Sequence, residues 1–185
     1  MDQNLSEEEG EDLLKLVRYG LLASQRKLCL FPRIRSTERL KENRGVFIGL
    51  WNDRELRGCI GAISPGKPLE ESVLDLSIKS ALKDPRFKPL CGEELPDLTL
   101  EVSILSPPFV TEISQIQIGV HGLVIIGEGK IGLLLPCVPL EYGWNVETFL
   151  EQTCLKGGLS KDAWRFGAII SSFTVQVFKG PALLG

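Results

Sequence analysis

Histidine is almost missing from this chain: among 185 residues there is one, His121. An imidazole-based zinc site has only that residue to draw on. The five cysteines, Cys29, Cys59, Cys91, Cys137 and Cys154, are scattered, with no C-x-x-C among them. An odd and widely spaced set argues against a disulfide framework and against structural zinc, so no metal is expected. A basic excess is missing too. Twenty-one Lys and Arg face 24 Asp and Glu, for a net charge of -3 and a pI near 5.4. Proteins that grip phosphate backbones are normally basic, so nucleic acid is not an expected partner. No apolar run approaches the length of a membrane span. The acidic start, Met1 to Glu11, lacks the basic and apolar pattern of a secretion signal. A cytoplasmic protein without a membrane partner is expected. Walker A, G-x-G-x-x-G, G-x-S-x-G and H-E-x-x-H patterns, internal repeats and low-complexity segments are all absent, and no cofactor is expected.

What is present is enough apolar material, 43% of residues, for a sizeable core in one domain over 1–185, with a core over about 5–178. Ser6 with Glu9 is a capping-box pattern, and Leu13, Leu14, Val17, Leu21 and Leu28 recur at helical spacing, which predicts a helix from Glu7 to Leu28. Arg33 to Arg44 reads as a surface loop. Gly45 to Trp51 and Leu56 to Ile63 read as a hairpin across a polar turn, followed by a helix over 69–83 that Asp84-Pro85 stops. Leu98, Leu100, Val102 and Ile104 alternate with Thr99, Glu101, Ser103 and Leu105, a strand with one buried face. A second hairpin follows over 124–135. Pro136 to Gly143 reads as an irregular connection that offers Glu141, Tyr142 and Trp144 to a cleft. Asn145 caps a helix to Lys156 that ends at Gly157-Gly158. A last strand is expected over 172–178, and no structure over 181–185. Strands joined by short turns and interspersed with helices predict an α+β fold, mostly antiparallel, with flanking helices.

The stretch that carries the most chemistry is Leu56-Arg57-Gly58-Cys59-Ile60-Gly61. Alternate residues of a strand share a face, so Arg57, Cys59 and Gly61 point one way. A guanidinium two residues from a thiol favours the thiolate, and Gly58 and Gly61 let a ligand or another backbone approach. The plainer reading makes Cys59 a small buried hydrophobe. The second stretch is Ser80-Ala81-Leu82-Lys83-Asp84-Pro85-Arg86-Phe87. Lys83, Asp84 and Arg86 crowd charge at a helix end, either as a charged cap or as a corner that recognises an anion. His121, between Val120 and Gly122, either holds a turn or works as an acid–base group. Cys29, Cys91 and Cys154 are read as structural.

These residues, with Glu94-Leu95-Pro96, Glu101-Val102-Ser103-Ile104-Leu105, Gly119-Val120-His121-Gly122, Leu134-Leu135-Pro136, Gly143-Trp144 and Leu155-Lys156-Gly157-Gly158, occur in the order found in the AMMECR-one family. The chain resembles that family, also called protein A of the AmmeMemoRadiSam system, from about Leu5 to Phe178. Cys137 departs from the Gln or Glu associated with that position, which removes an amide or carboxylate there. The resemblance implies an α+β domain in two lobes of unequal size, with the 57–61 motif near the cleft between them. It implies no settled activity. It does imply company, since bacterial and archaeal relatives are encoded beside a Memo-like protein and a radical S-adenosylmethionine enzyme.

Two functions follow. In one, the protein is a cysteine-dependent group transferase or hydrolase: Cys59 is the nucleophile, Arg57 lowers its pKa, and His121 is the acid–base partner. Gly58, Gly61, Lys83, Asp84 and Arg86 then bind a small anionic ligand. In the other, the protein is a non-catalytic binding or accessory module for the Memo-like and radical S-adenosylmethionine proteins.

Overall fold

The computed structural model describes residues 4–27 and 30–183. In chain order the elements are α1 (Glu7–Ser24), α2 (Glu38–Lys41), β1 (Val46–Asn52), β2 (Glu55–Ala62), α3 (Leu69–Leu82), β3 (Leu98–Leu105), β4 (Phe109–Val110), β5 (Gly122–Gly127), β6 (Lys130–Leu134), α4 (Cys137–Tyr142), α5 (Val146–Lys156), β7 (Ile169–Phe173) and β8 (Val175–Pro181), with three short 3₁₀ turns between them. The chain divides into two compact units. The larger takes the chain up to Leu105 and again from Gln176, and the smaller is Ser106–Val175. The strand pairings β1–β2, β1–β3, β4–β7, β5–β6 and β5–β7 are all antiparallel. The α+β, antiparallel reading of the sequence therefore holds.

In the larger unit the sheet order is β2-β1-β3-β8. Val46, Ile48 and Leu50 of β1 and Leu100, Val102 and Ile104 of β3 share one face, and all are fully buried. They join Leu13, Val17 and Leu21 of α1 and Leu69, Val73 and Leu76 of α3 in one core. α1 begins as the sequence indicates. The Glu9 N–H donates to Ser6 Oγ (3.2 Å) and the Ser6 N–H to Glu9 Oε2 (2.8 Å), a complete capping box. It ends at Ser24, sooner than expected, because Arg26 takes a left-handed backbone (φ 57). Leu28, the expected end, lies outside the described residues. The stretch read as a loop contains α2, a single turn whose Leu40 is fully buried.

The acidic face of α1 is more than a solvated start. Glu9 and Asp12 are buried and hold the segment after it. Asp12 accepts from Lys15 Nζ (2.6 Å) and from both the backbone N–H and Nε of Arg35 (3.0 Å each). Glu9 accepts from Thr37 Oγ1 (2.6 Å) and pairs with Arg39 (3.1 Å). Burial raises both carboxyls, yet these bonds to the charged form outweigh it and hold both below their ordinary values.

In the smaller unit the sheet order is β4-β7-β5-β6. Leu123 and Ile125 of β5 pack with Phe149, Leu150 and Cys154 of α5. The Asn145 side chain caps α5 by accepting from the Thr148 N–H (2.9 Å), and Gly158 (φ 73) supplies the left-handed residue after it. Glu128 and Gly129, both at positive φ, make the β5–β6 turn.

Three expectations are corrected here. Residues 136–143 are not irregular: α4 forms because Pro139 sits in its first turn, where no N–H is needed, and Gly143 (φ 64) ends it. The single last strand is two. The alternation Phe173, Val175, Val177 runs unbroken, but β7 belongs to one sheet and β8 to the other, with the break at Thr174. In the segment left without structure, Pro181 ends β8 and the Ala182 N–H donates to the Leu98 carbonyl (2.9 Å). Leu184 and Gly185 lie outside the described residues.

α1 and α3 cross at Gly20. A Cβ there would stand 1.9 Å from Ser77 Oγ, and Ser77 is fully buried. Alanine in a helix is worth ~1 kcal/mol over glycine where there is room. Here Gly20→Ala is expected to destabilise by about 1–3 kcal/mol through overpacking. Adding Ser77→Ala is expected to restore part of the loss, as read from urea unfolding midpoints.

Candidate functional site

β2 is the edge strand of its sheet, and the two motifs singled out in the sequence meet there. Gly58 faces the end of α3: a Cβ would stand 2.6 Å from the Ser80 carbonyl. The Ser80 hydroxyl donates to the Ile48 carbonyl (2.9 Å) and accepts from the Ile60 N–H (3.0 Å), joining residues that are register partners across β1 and β2. The helix end is thus stitched into the hairpin, and Gly58 is what lets it come so close.

With Ile60 turned inward, the backbone of Cys59 points out at the free edge. The Asp84-Pro85-Arg86 turn satisfies it. Asp84 Oδ2 accepts from the Cys59 N–H (2.8 Å), and Arg86 Nη2 donates to the Cys59 carbonyl (3.2 Å). The two side chains are locked to each other, with Arg86 Nε on Asp84 Oδ1 (3.0 Å) and Nη2 on Oδ2 (2.7 Å). Asp84 is 5% exposed, and its acceptance of these bonds holds its carboxyl well below the usual range, first through Arg86 and against the opposing effect of burial. The pair therefore occupies the place a neighbouring strand would take and blunts an open edge.

Arg57 is placed differently from the sequence expectation. The register slips between Leu50 and Trp51, so Arg57 has no partner on β1. Its guanidinium forks onto Glu94 (Nε–Oε2 2.6 Å, Nη2–Oε1 3.0 Å), and Glu94 also accepts from the Cys91 N–H (2.9 Å). Arg57 is thus matched by a carboxylate. The guanidinium that reaches Cys59 is that of Arg86, through the Cys59 carbonyl, and it holds its proton more tightly than usual, first through Asp84 and further through Cys59. Phe87 lies against both, with the Arg86 and Arg57 guanidinium carbons 5.4 and 6.0 Å from its ring centre.

Cys59 is half-buried. Gly61 faces Phe47, whose ring occupies the space a Cβ would need (2.1 Å). Lys83 caps the end of α3 and is exposed. His121 belongs to the smaller unit. Its Nδ1 accepts from the Gln117 N–H (3.2 Å), which places the proton of the neutral ring on Nε2, and Phe109 meets it edge-on. Five of the eight expected site residues, Gly58, Cys59, Gly61, Asp84 and Arg86, therefore cluster on the β2 edge or its capping turn. Arg57 leaves that group for Glu94. The sequence reading missed Ser80 and Glu94 as participants, although both lie inside quoted motifs. Of the cysteines read as structural, Cys154 is buried, Cys91 is exposed, and Cys29 lies outside the described residues. Tyr142 and Trp144 stack on each other (4.9 Å). Among the described residues no group of three or more His, Cys, Asp or Glu stands ready for a metal ion, and no helix is long and apolar enough to cross a membrane.

The Glu94 carboxyl is lowered from 4.5 to about 2, first by the Arg57 bonds and against burial. A depressed carboxylate stabilises the fold above its unfolded value and loses that contribution as pH falls through its folded value. Glu94→Gln is therefore expected to cost about 1–2 kcal/mol at pH 7, after allowance for its partial exposure. The difference from wild type is expected to vanish as pH approaches ~2. Urea titrations at the two pH values check both points.

The AMMECR1 family profile matches residues 15–178. Protein MK0488 of Methanopyrus kandleri is 42% identical, covering 97% of this chain and 92% of that one. Protein TK0174 of Thermococcus kodakarensis is 39% identical, covering 95% and 92%. The crystal structure of the uncharacterized protein PH0010 from Pyrococcus horikoshii superposes with a TM-score of 0.79 at 36% identity, over 95% of this chain and 93% of that one. The chain belongs to the AMMECR1 family.

Proposed function

We propose that the Cys59 edge is a small-ligand site whose reactive group is the Cys59 thiol, and that the protein is a cysteine-dependent group transferase or hydrolase. One observation carries this reading. The backbone of Cys59 is pinned on both sides, N–H by Asp84 and carbonyl by Arg86, which brings a guanidinium to the residue that carries a half-buried thiol. A pinned backbone beside a fixed cation is what a reactive thiolate needs. In this reading the sulfur bonds to an electrophilic acyl carbon. The leaving group departs with its bonding electron pair and takes a proton from solvent. Water or a second nucleophile then cleaves the thioester. Lys83, exposed and without an ion pair among the described residues, would meet an anionic part of the substrate. The reading rests on the larger unit alone, and a part for His121 is left to the test.

A second reading, an accessory module that docks a Memo-like or radical S-adenosylmethionine protein, draws support from a different observation. Both guanidiniums at the edge are already matched by carboxylates, and His121 Nδ1 is already engaged.

Alkylation by iodoacetamide across pH, read cysteine by cysteine with mass spectrometry, separates the two. Cys91 is an internal standard, because Glu94 and then Glu93 push its exposed thiol up. Cys59 is expected to react in the native protein with a midpoint below the free-thiol value of about 8.5, and Arg86→Ala is expected to raise that midpoint. If His121→Ala raises it as well, the imidazole joins the site. A Cys59 that reacts only on unfolding, or alongside Cys91, rejects the catalytic reading and leaves the accessory one.

A further inference from the structure

The buried carboxylate at position 84 contributes a negative charge 2.8 Å from the Cys59 backbone N–H. Taken as charge alone, it opposes a thiolate at Cys59 and cancels the Arg86 cation. Its geometry says something else. Asp84 takes both Nε and Nη2 of Arg86, and also the Arg86 backbone N–H (3.1 Å), so the fork is held at two points, and its backbone at a third, by a buried carboxylate. The same Nη2 then reaches the Cys59 carbonyl. Without that hold, Arg86 is a long side chain more than half exposed, free to explore solvent. Of the other charged groups nearby, Arg57 is paired with Glu94 and Lys83 is exposed to solvent.

We propose that Asp84 is a positioning residue that aims the Arg86 guanidinium at Cys59, so that the carboxylate promotes the thiolate through Arg86 although its own charge opposes it. The inference rests on the reading of Cys59 as the reactive group. It also gives the Asp-Pro-Arg sequence a reason. Pro85 sets the turn, closed by the Phe87 N–H on the Asp84 carbonyl (3.2 Å), that lets residues 84 and 86 meet as a fork and a carboxylate.

The two accounts of Asp84 differ in sign, which makes the test decisive. If Asp84 positions, Asp84→Asn is expected to slow Cys59 alkylation at pH 7 about five- to tenfold, in the same direction as Arg86→Ala, because the guanidinium swings away. If Asp84 acts by charge, the same variant speeds alkylation, and the proposal is overturned. Should Asp84→Asn fail to fold, Arg86→Lys serves, since residue 86 is exposed. It keeps the cation but loses the fork, and is expected to react nearly as slowly as Arg86→Ala. A wild-type rate in Arg86→Lys overturns the proposal. A readout that does not involve the thiol accompanies these. In a ¹⁵N spectrum the Arg86 Nε–H and the Cys59 amide are expected to be protected from solvent exchange in wild type and to lose that protection in Asp84→Asn. Unchanged protection refutes the positioning role whatever Cys59 does. An unreactive wild-type thiol refutes the proposed function instead, so the two failures are told apart.

Discussion

One hydrogen bond organises the larger unit's edge: the Cys59 N–H on the buried Asp84 carboxylate. An edge strand exposes a row of unpaired backbone groups, and a glycine-rich one is poorly specified in register. β2 carries glycines at 58 and 61, so it needs an external hold. Asp84 provides it from the turn after α3, and the turn is fixed in its place because α3 is stitched to the hairpin by Ser80 and lies against Gly58. The bond therefore depends on the packing beside it, of Ser80 against residue 58, and that packing depends on a position with no side chain.

The two ion pairs at this edge differ in kind. Arg86 is largely in solvent, but its partner is buried and shared with a backbone N–H, so the pair is ordered by the carboxylate. Arg57 and Glu94 are both partly buried, and their bidentate geometry ties β2 to the segment before β3. A cationic surface does not result from either. What results is a strand whose shape is set by side chains from two different loops, with a half-buried thiol at its centre.

Much of this fold was readable from the residues. The alternation from Leu98 to Leu105, the Ser6–Glu9 capping box and the Asn145 cap are local signals, and each produced its element. The failures were non-local or concerned proline. Residues 136–143 read as irregular, yet Pro136 at the cap and Pro139 in the first turn are placed where a helix tolerates proline. Thr174 sits inside an unbroken alternation, and nothing in that pattern says that the chain changes sheets there. At the site, the proximity of Arg57 to Cys59 was legible because they are two residues apart. The bulge that turns Arg57 toward Glu94, thirty-seven positions on, depends on how β1 pairs, which no local pattern carries.

The change of sheet at Thr174 has a consequence for how the chain assembles. The Ser106 N–H donates to the Thr174 carbonyl (2.9 Å), and the Thr174 N–H donates back to Ser106 Oγ (3.0 Å). The smaller unit is thus an insertion whose entrance and exit touch, placed between two neighbouring strands of the other sheet, β3 and β8. Until the insertion folds, β8 must find β3 across a loop of about seventy residues. Once it folds, its closed ends shorten that loop to a few residues, which lowers the closure cost by roughly 2–3 kcal/mol. The last strand of the larger unit is delivered by the smaller one, and the insertion acts as the hairpin turn of a sheet to which it contributes almost no strand.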